Sequence, residues 1–348
     1  MNKNQTPNET LIPSANGIRG LAVIIVLIAH ALTMFIPGTR SYLAGTGKIG
    51  VWLFFVLSAF LLTNKFSNSG LNLSSLSNYL ISRTFRIIPI FIIASTFYYF
   101  MGYYDVKTLY NIISMQSGYG HLWTIPVEFK FYFVLPFFFF AFHLIHSRYG
   151  TLPLTFSVAT IIIAWQCILP YKLIPENSIE TSWYIPCFLL GMYTSFLYQQ
   201  RTQLPSLSKK RYGIAIASCL LGILFIIPSF SKIIFGFTLN NELPKSYLPL
   251  GIFWCGIIYF SCFDYGIFSK VLSGQFLTKI GNYSFSIYLF HWFVLIELSK
   301  HYPDSVFVML IAIATSICCG WLVFKYVEKP IEVIRHAIQK KMVTPSLY

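Results

Sequence analysis

Long apolar runs, separated by short polar segments, are the feature that most restricts how this chain folds. A helix needs roughly 20 mainly apolar residues to cross the hydrocarbon core of a bilayer. The chain is 56% hydrophobic and only 10% charged, which leaves too few charges to cover a soluble surface of its size. We therefore predict an all-α, polytopic membrane helix bundle. About ten transmembrane helices are expected, at roughly 18–37, 48–63, 87–104, 123–145, 152–170, 182–198, 211–229, 247–264, 281–298 and 305–324.

The distribution of Lys and Arg predicts how the bundle lies in the membrane. Most basic residues stand between the apolar runs, and a cytoplasmic N-terminus places the larger share of them on the inner side. The positive-inside rule therefore predicts a multi-pass protein of the cell membrane with both termini in the cytoplasm. The same rule accounts for the net charge of +14, so we expect the lipid bilayer as a partner and no nucleic acid.

Polar segments frame the predicted membrane domain at both ends. We divide the chain into a polar N-terminal tail (1–12), a membrane domain (13–335) and a basic C-terminal tail (336–348). Within the bundle, the stretch LSSLSNYLISRTFR, residues 73–86, is too polar to span. We expect it to lie on the membrane surface as an amphipathic piece.

Two ionisable residues interrupt the first apolar run, NGIRGLAVIIVLIAHA, residues 16–31. Arg19 and His30 are eleven positions apart, so they share one helix face and lie about 16 Å apart along its axis. Ionisable side chains inside a membrane are costly and indicate function. We expect Arg19 near the cytoplasmic mouth and His30 beyond the midplane, as a titratable base. The alternatives are a snorkelling anchor for Arg19 and a hydrogen-bonded packing residue for His30.

A carboxylate stands early in the run HLWTIPVEFKFYFVLP, residues 121–136. On the rise of an α-helix, Glu128 falls at a depth similar to that of His30. We expect Glu128 to pair with His30 and raise its basicity, as a carboxylate does for a catalytic imidazole. The alternative is that Glu128 pairs with another cation. Lys130 is a poor candidate, because positions two apart point to nearly opposite faces of a helix.

Two arginines and a late histidine complete the set of candidates. Arg83 and Arg86 are three positions apart, hence neighbours on a helix, and two forked guanidinium groups suit phosphate. The alternative is that they only anchor the helix at the cytoplasmic interface. His291, in GNYSFSIYLFHW (281–292), falls near mid-membrane, where a structural and a functional role are both open. We interpret Glu328, at the inner end of the last span, as structural.

Several short motifs occur in the order found in one known family. They are NGIRGLAVIIVLIAH, GVWLFFVLSAF, RTFRIIP, HLWTIPVEFKFY, SFSIYLFH and EKP. Across roughly residues 13–335, the chain resembles the acyltransferase-3 family of integral membrane acyltransferases. The resemblance implies transfer of an acyl group, usually acetyl, from cytoplasmic acyl-CoA to a hydroxyl of a carbohydrate. Acceptors typical of the family are O-antigen, exopolysaccharide and peptidoglycan.

The resemblance also assigns roles to individual residues and implies no metal. The expected groups are catalytic His30, Glu128 and Arg19; donor-binding Arg83 and Arg86; and acceptor-binding His121, Trp123 and His291. The histidines lie on separate segments without the spacing of metal ligands. The chain also departs from the family pattern. Trp52 and Asn16 stand where aspartate is usual, Ala59 replaces a glycine, and Phe129 and Lys130 alter the stretch after Glu128.

The sequence leaves the mechanism and the class of function open at several points. His30 acts either as a general base on a sugar hydroxyl or through an acyl-histidine intermediate. A transporter or flippase of a glycan or small acidic solute would also bury Arg, His and Glu, although no internal repeat is visible. Acylation of a non-glycan small molecule, a glycan polymerase and a structural assembly factor are the further alternatives.

Overall fold

The fold is a bundle of α-helices. The computed structural model describes residue 12 and residues 14–43, 45–201, 208–238, 242–263 and 266–343, and these contain no β-strand. The expected all-α class is confirmed. The helices are α1 (Ala15–Phe35), α2 (Arg40–Leu43), α3 (Gly47–Ser69), α4 (Leu73–Phe100), α5 (Val106–Ile113), α6 (Thr124–Tyr149), α7 (Thr151–Ile168), α8 (Ile185–Gln199), α9 (Lys209–Ile226), α10 (Pro228–Phe235), α11 (Tyr247–Ser261), α12 (Gly266–Leu272), α13 (Gln275–Asn282), α14 (Ser284–His301), α15 (Val306–Val323) and α16 (Lys329–Val343).

Each predicted apolar run contains a helix, but fewer helices are long and apolar enough to cross a membrane. In the described ranges, six segments meet both requirements: Ala15–Phe35, Gly47–Ser69, Leu73–Phe100, Gly120–Tyr149, Thr151–Ile168 and Val306–Lys340. The bent pairs α9 with α10 and α11 with α12 raise the number to eight if each pair is one span. These helices make the chain a multi-pass membrane protein. The number of ten and the cytoplasmic termini stay predictions.

Helices α8 and α14 fall outside this set, although both contribute to the core. Helix α8 has 15 residues and is about 22 Å long, shorter than a hydrocarbon core of about 30 Å. Helix α14 is fixed against α4 by Tyr98. The Tyr98 hydroxyl donates to the Leu289 carbonyl at 3.0 Å and accepts from the Phe293 N–H at 3.2 Å. Both hydrogen bonds hold α14, which carries His291, in one register.

The polar stretch 73–86 is not a separate surface piece, and this prediction is wrong. It forms the first half of the unbroken 28-residue helix α4, which is about 42 Å long. A capping box starts the helix: Asn72 Oδ1 accepts from the Ser75 N–H at 2.8 Å, and Ser75 Oγ accepts from the Asn72 N–H at 2.9 Å. Helix α16 covers part of this polar half, where Arg335 donates to Ser82 Oγ at 3.3 Å.

The predicted limits of the membrane domain stay predictions. Helix α16 continues to Val343, so the proposed boundary after Arg335 falls inside a helix. Residues 1–11 of the predicted N-terminal tail and 344–348 of the C-terminal tail lie outside the described residues.

Glycines allow the start of α1 to approach α13 closely. A Cβ at Gly20 would lie 2.2 Å from the Leu277 carbonyl oxygen, and one at Gly281 would lie 1.7 Å from the Asn16 carbonyl oxygen. Only a residue without a side chain fits at these two positions. The neighbouring Arg19 is rotated by about 100° from Gly20 around the helix axis. The glycine contact therefore fixes the part of α1 that carries Arg19.

Candidate active site

Two neighbouring cavities open into the helix bundle. The first, here called the arginine cavity, has in its lining Arg19, Arg83, Arg86, Glu128 and Tyr132. The second, here called the histidine cavity, has in its lining His30, Gly47, Lys48, His121, Trp123 and Trp292. Val51 and Tyr288 line both cavities. The face shared by Arg19 and His30 on α1 thus reaches two adjoining spaces, with the arginine in one and the histidine in the other.

The arginine cavity brings together cations from α1 and α4. Arg19, Arg83 and Arg86 all line it. Arg19 Nη1 donates to Asn16 Oδ1 at 3.1 Å, and the Arg83 guanidinium lies 5.8 Å from the centre of the Tyr132 ring. Three guanidinium groups around one space form a favourable site for phosphate, since each presents several donors in a planar fork.

Glu128 belongs to this cavity and does not contact His30. The Tyr132 hydroxyl donates to Glu128 Oε1 at 2.5 Å and lies 3.2 Å from Ser58 Oγ. The expected pair of Glu128 with His30 is therefore not formed. Similar depth in two helices says nothing about the direction in which each side chain points, and α6 directs Glu128 toward the arginines. Lys130 points elsewhere, with its Nζ 3.8 Å from Glu180 Oε1.

The hydrogen-bond partner of His30 is a second imidazole. His291 Nδ1 lies 2.7 Å from the Tyr288 carbonyl oxygen, which only accepts, so this nitrogen carries the hydrogen. In neutral His291, Nε2 is then an acceptor, and His30 Nδ1 donates to it at 3.0 Å. The network leaves His30 Nε2 with a free lone pair, as a general base requires.

Gly47 keeps the free nitrogen of His30 accessible from the histidine cavity. A Cβ at Gly47 would lie 3.0 Å from His30 Nε2. Trp292 holds the other side of the imidazole, with ring centroids 4.8 Å apart and planes nearly perpendicular. The His30 imidazole is therefore held in place by side chains of α14, and its Nε2 faces the cavity on the side of α3.

Three histidines that are far apart in sequence meet at this cavity. The centroids of His121 and His291 are 5.0 Å apart, and His121 Nε2 donates to the Leu289 carbonyl at 3.0 Å. His121 lines the cavity, whereas His291 is fully buried and supports His30. No group of three or more His, Cys, Asp or Glu side chains in the described ranges is arranged to hold a metal ion.

The predicted acceptor residue Trp123 also lines the histidine cavity. Lys48 Nζ lies 5.5 Å from the centre of its ring. Lys48, Arg40 and Glu176 give this cavity charged groups of both signs. The fold thus brings His121 and Trp123 to the same space as His30 and places the predicted donor-binding arginines in the adjoining one.

Trp52, which replaces an aspartate usual in the family, is part of an aromatic cluster. It is fully buried, and its ring centroid lies 5.5 to 6.0 Å from those of its neighbours Phe55, Trp123, Tyr184 and Tyr247. Trp52 therefore supports Trp123 from behind. In this chain the position contributes packing in place of a carboxylate.

Sequence reasoning missed Gly47, Lys48, Tyr132 and Tyr288. Tyr132 stands four positions after Glu128 on α6, which is the spacing of neighbours on a helix face, and this signal could have found it. Gly47 and Lys48 stand at the start of the second span and carry no comparable signal, because their role depends on the approach of α3 to α1.

A membrane helix bundle that places a free imidazole nitrogen beside a cluster of guanidinium groups is suited to group transfer from a phosphorylated donor. Residues 12–325 match the acyltransferase domain of the acyltransferase-3 family. The chain belongs to this family.

Two similar proteins are described as O-acetyltransferases. "Putative O-acetyltransferase SACOL0978" of Staphylococcus aureus strain COL is 23% identical over 360 residues, covering 92% of this chain and 57% of that protein. "O-acetyltransferase OatA" of S. aureus strain NCTC 8325 is 22% identical over 362 residues, with the same two coverages. The chain thus spans little more than half the length of these relatives. No solved structure matches it.

Proposed function

We propose that this protein is a membrane O-acyltransferase that moves an acyl group, most simply acetyl, from cytoplasmic acyl-CoA to a hydroxyl of an exported or envelope carbohydrate. The observation that carries the proposal is the position of His30 Nε2, which is open to one cavity beside a second cavity lined by Arg19, Arg83 and Arg86. Family membership and the names of the relatives support the same type of reaction.

The arginine cavity suits the donor. Coenzyme A carries a diphosphate and a 3′-phosphate, and charge-assisted hydrogen bonds from guanidinium groups recognise both. Apolar side chains, among them Phe54, Leu57 and Ile87, line the same cavity and match the uncharged pantetheine arm and the acyl group. In this proposal Arg83 and Arg86 bind phosphate, while Arg19 neutralises charge deeper in the cavity.

The histidine cavity suits a hydroxylated acceptor. Lys48, Arg40, Glu176 and His121 supply donors and acceptors for sugar hydroxyl groups, and Trp123 supplies an aromatic face.

In the transfer step, the acceptor hydroxyl oxygen attacks the thioester carbonyl while His30 Nε2 takes the hydroxyl proton. The C–S bond breaks as the C–O bond forms, and the proton then passes to the leaving thiolate. The products are an ester and free coenzyme A thiol.

The test compares ester content of surface polysaccharide by mass spectrometry. A deletion strain is complemented with the wild type, His30→Ala or Arg83→Ala at matched membrane levels. His301→Ala and Arg148→Ala are matched controls, because both residues are exposed and line neither cavity. We expect the wild type and both controls to add an ester mass and the two site variants to lose it. A wild type without added ester mass would refute the carbohydrate acceptor.

Transport of a glycan is the second candidate, because two cavities on either side of a partition also fit alternating access. A transporter would move its cargo without forming an ester. The same experiment therefore separates the two functions: unchanged ester content, together with surface glycan that depends on the protein, would favour transport.

A further inference from the structure

The two cavities meet at a partition formed by two side chains. Val51 of α3 and Tyr288 of α14 are the residues that line both cavities. Their relative exposures are only 5% and 6%. His30 lines one cavity and the three arginines line the other, and Val51 and Tyr288 stand where the two linings meet.

Hydrogen bonds hold the Tyr288 ring in place. Its hydroxyl donates to the His121 carbonyl at 2.6 Å and accepts from Thr124 Oγ1 at 2.9 Å. The ring also contacts Phe54 edge to face, with centroids 6.2 Å apart. Because its hydroxyl is hydrogen-bonded and its ring is packed, the Tyr288 side chain has little room to move aside for a larger acyl group.

Val51 gives the opposite side of the partition a fixed shape. A β-branched side chain in a helix has one strongly preferred rotamer, so its two methyl groups do not swing aside. The backbone around it is also confined, because a Cβ at the adjacent Gly50 would lie 2.4 Å from the Ala22 carbonyl oxygen. Both sides of the partition are therefore confined by their packing.

We propose that Val51 and Tyr288 form a size filter that restricts the acyl group delivered to His30 to acetyl. The inference rests on the proposed function and adds the residues that select the donor. In the transfer step only the carbonyl carbon and its acyl substituent must reach the His30 side. The sulfur stays with the arginine-bound coenzyme, where the breaking C–S bond leaves it as thiolate and the His30 proton restores the thiol. Val51 and Tyr288 therefore discriminate between acyl groups and do not select the coenzyme.

The test measures donor selectivity in inverted membrane vesicles from the complemented deletion strain, which expose the cytoplasmic face and retain the native acceptor. Acetyl-, propionyl- and butyryl-CoA are supplied separately, and glycan ester is measured by mass spectrometry. We expect Val51→Ala to raise the ratio of propionyl to acetyl transfer about tenfold or more, as one methylene does in a shaped apolar pocket. Val158→Ala is the matched control, since this buried valine lines neither cavity.

Tyr288→Leu provides an independent variant of the other side of the filter. It removes the phenol but keeps the backbone carbonyl that accepts from His291 Nδ1. We expect it also to admit the longer groups. If both variants transfer acetyl with the wild-type donor ratio, the filter is refuted and the proposed function stands. If wild-type vesicles form no ester from any donor, the proposed function is refuted and the filter with it.

Discussion

At the scale of single residues, the candidate base is oriented by another imidazole and not by a carboxylate. The chain of bonds runs from the Tyr288 carbonyl through His291 to His30, and each step fixes one tautomer. A neutral partner orients His30 without placing a negative charge beside it inside the membrane, where an unpaired charge is costly. The arrangement makes His291 a positioning residue, acting through His30.

Replacing His291 tests this role. We expect His291→Phe to lower kcat about 100-fold and to leave KM for acyl-CoA nearly unchanged, because His30 loses the acceptor for its Nδ1–H. His291→Gln retains an acceptor atom and should restore part of kcat. The measurement is steady-state kinetics on purified protein. Equal losses in the two variants, or a loss confined to KM, would show that His291 has only a structural role.

Gly47 provides a second test at this scale. In Gly47→Ala the new methyl group lies about 3.0 Å from His30 Nε2, where the acceptor hydroxyl must bind. We expect kcat/KM for the acceptor to fall at least about tenfold, while coenzyme A binding in the other cavity is retained. Gly38→Ala is the control, since a Cβ there has no atom within 4 Å. Unchanged acceptor kinetics in Gly47→Ala would contradict the assignment of Nε2 as the base.

At the scale of helices, the sequence predicts the elements better than their mutual orientation. Apolar runs predicted the helices, because burial in lipid demands continuous apolar surface. Residues 73–86 do not follow this rule, because α16 and the arginine cavity accommodate their polar side chains within one long helix. The partner of Glu128 could not be predicted in this way, because depth follows from helix rise, whereas the direction of a side chain depends on how the neighbouring helices pack.

The contact between α1 and α13 allows a prediction about stability. In Gly281→Ala the added Cβ would overlap the Asn16 carbonyl oxygen, which is backbone and cannot rotate away. We expect α1 and α13 to separate and Tm in detergent to fall by several degrees, as for other overpacked interfaces that cost about 1–3 kcal/mol. Gly213→Ala in α9, with no atom within 4 Å of its Cβ, should leave Tm unchanged. A stable Gly281→Ala protein would refute the close approach.

At the scale of the whole molecule, the proposed mechanism divides donor recognition and proton transfer between the two cavities. Sequence motifs singled out many of the residues that line the two cavities, because His30, His121 and the arginines stand in recognisable patterns. They did not reveal that the histidines converge or that two side chains separate the cavities. Those features arise from contacts among α1, α3, α6 and α14, which are distant in sequence.

This division predicts that variants in the arginine cavity and variants in the histidine cavity have different defects. We expect Arg83→Ala to weaken coenzyme A binding at least about tenfold, the loss of one charge-assisted hydrogen bond of about 1.5–3 kcal/mol. Calorimetric titration of purified protein with coenzyme A measures this, and Arg148→Ala is the control. Tight binding that persists in Arg83→Ala would place the phosphates elsewhere.

The most direct test of the central claim measures binding and transfer on the same His30→Ala protein. Acetyl-CoA binding is titrated in purified protein, and ester formation is followed with membrane-bound native acceptor. If the two cavities divide the work as described, His30→Ala binds acetyl-CoA as tightly as the wild type and transfers about 100-fold or more slowly. Ester formation at the wild-type rate in His30→Ala would contradict the account, because the base would then lie elsewhere.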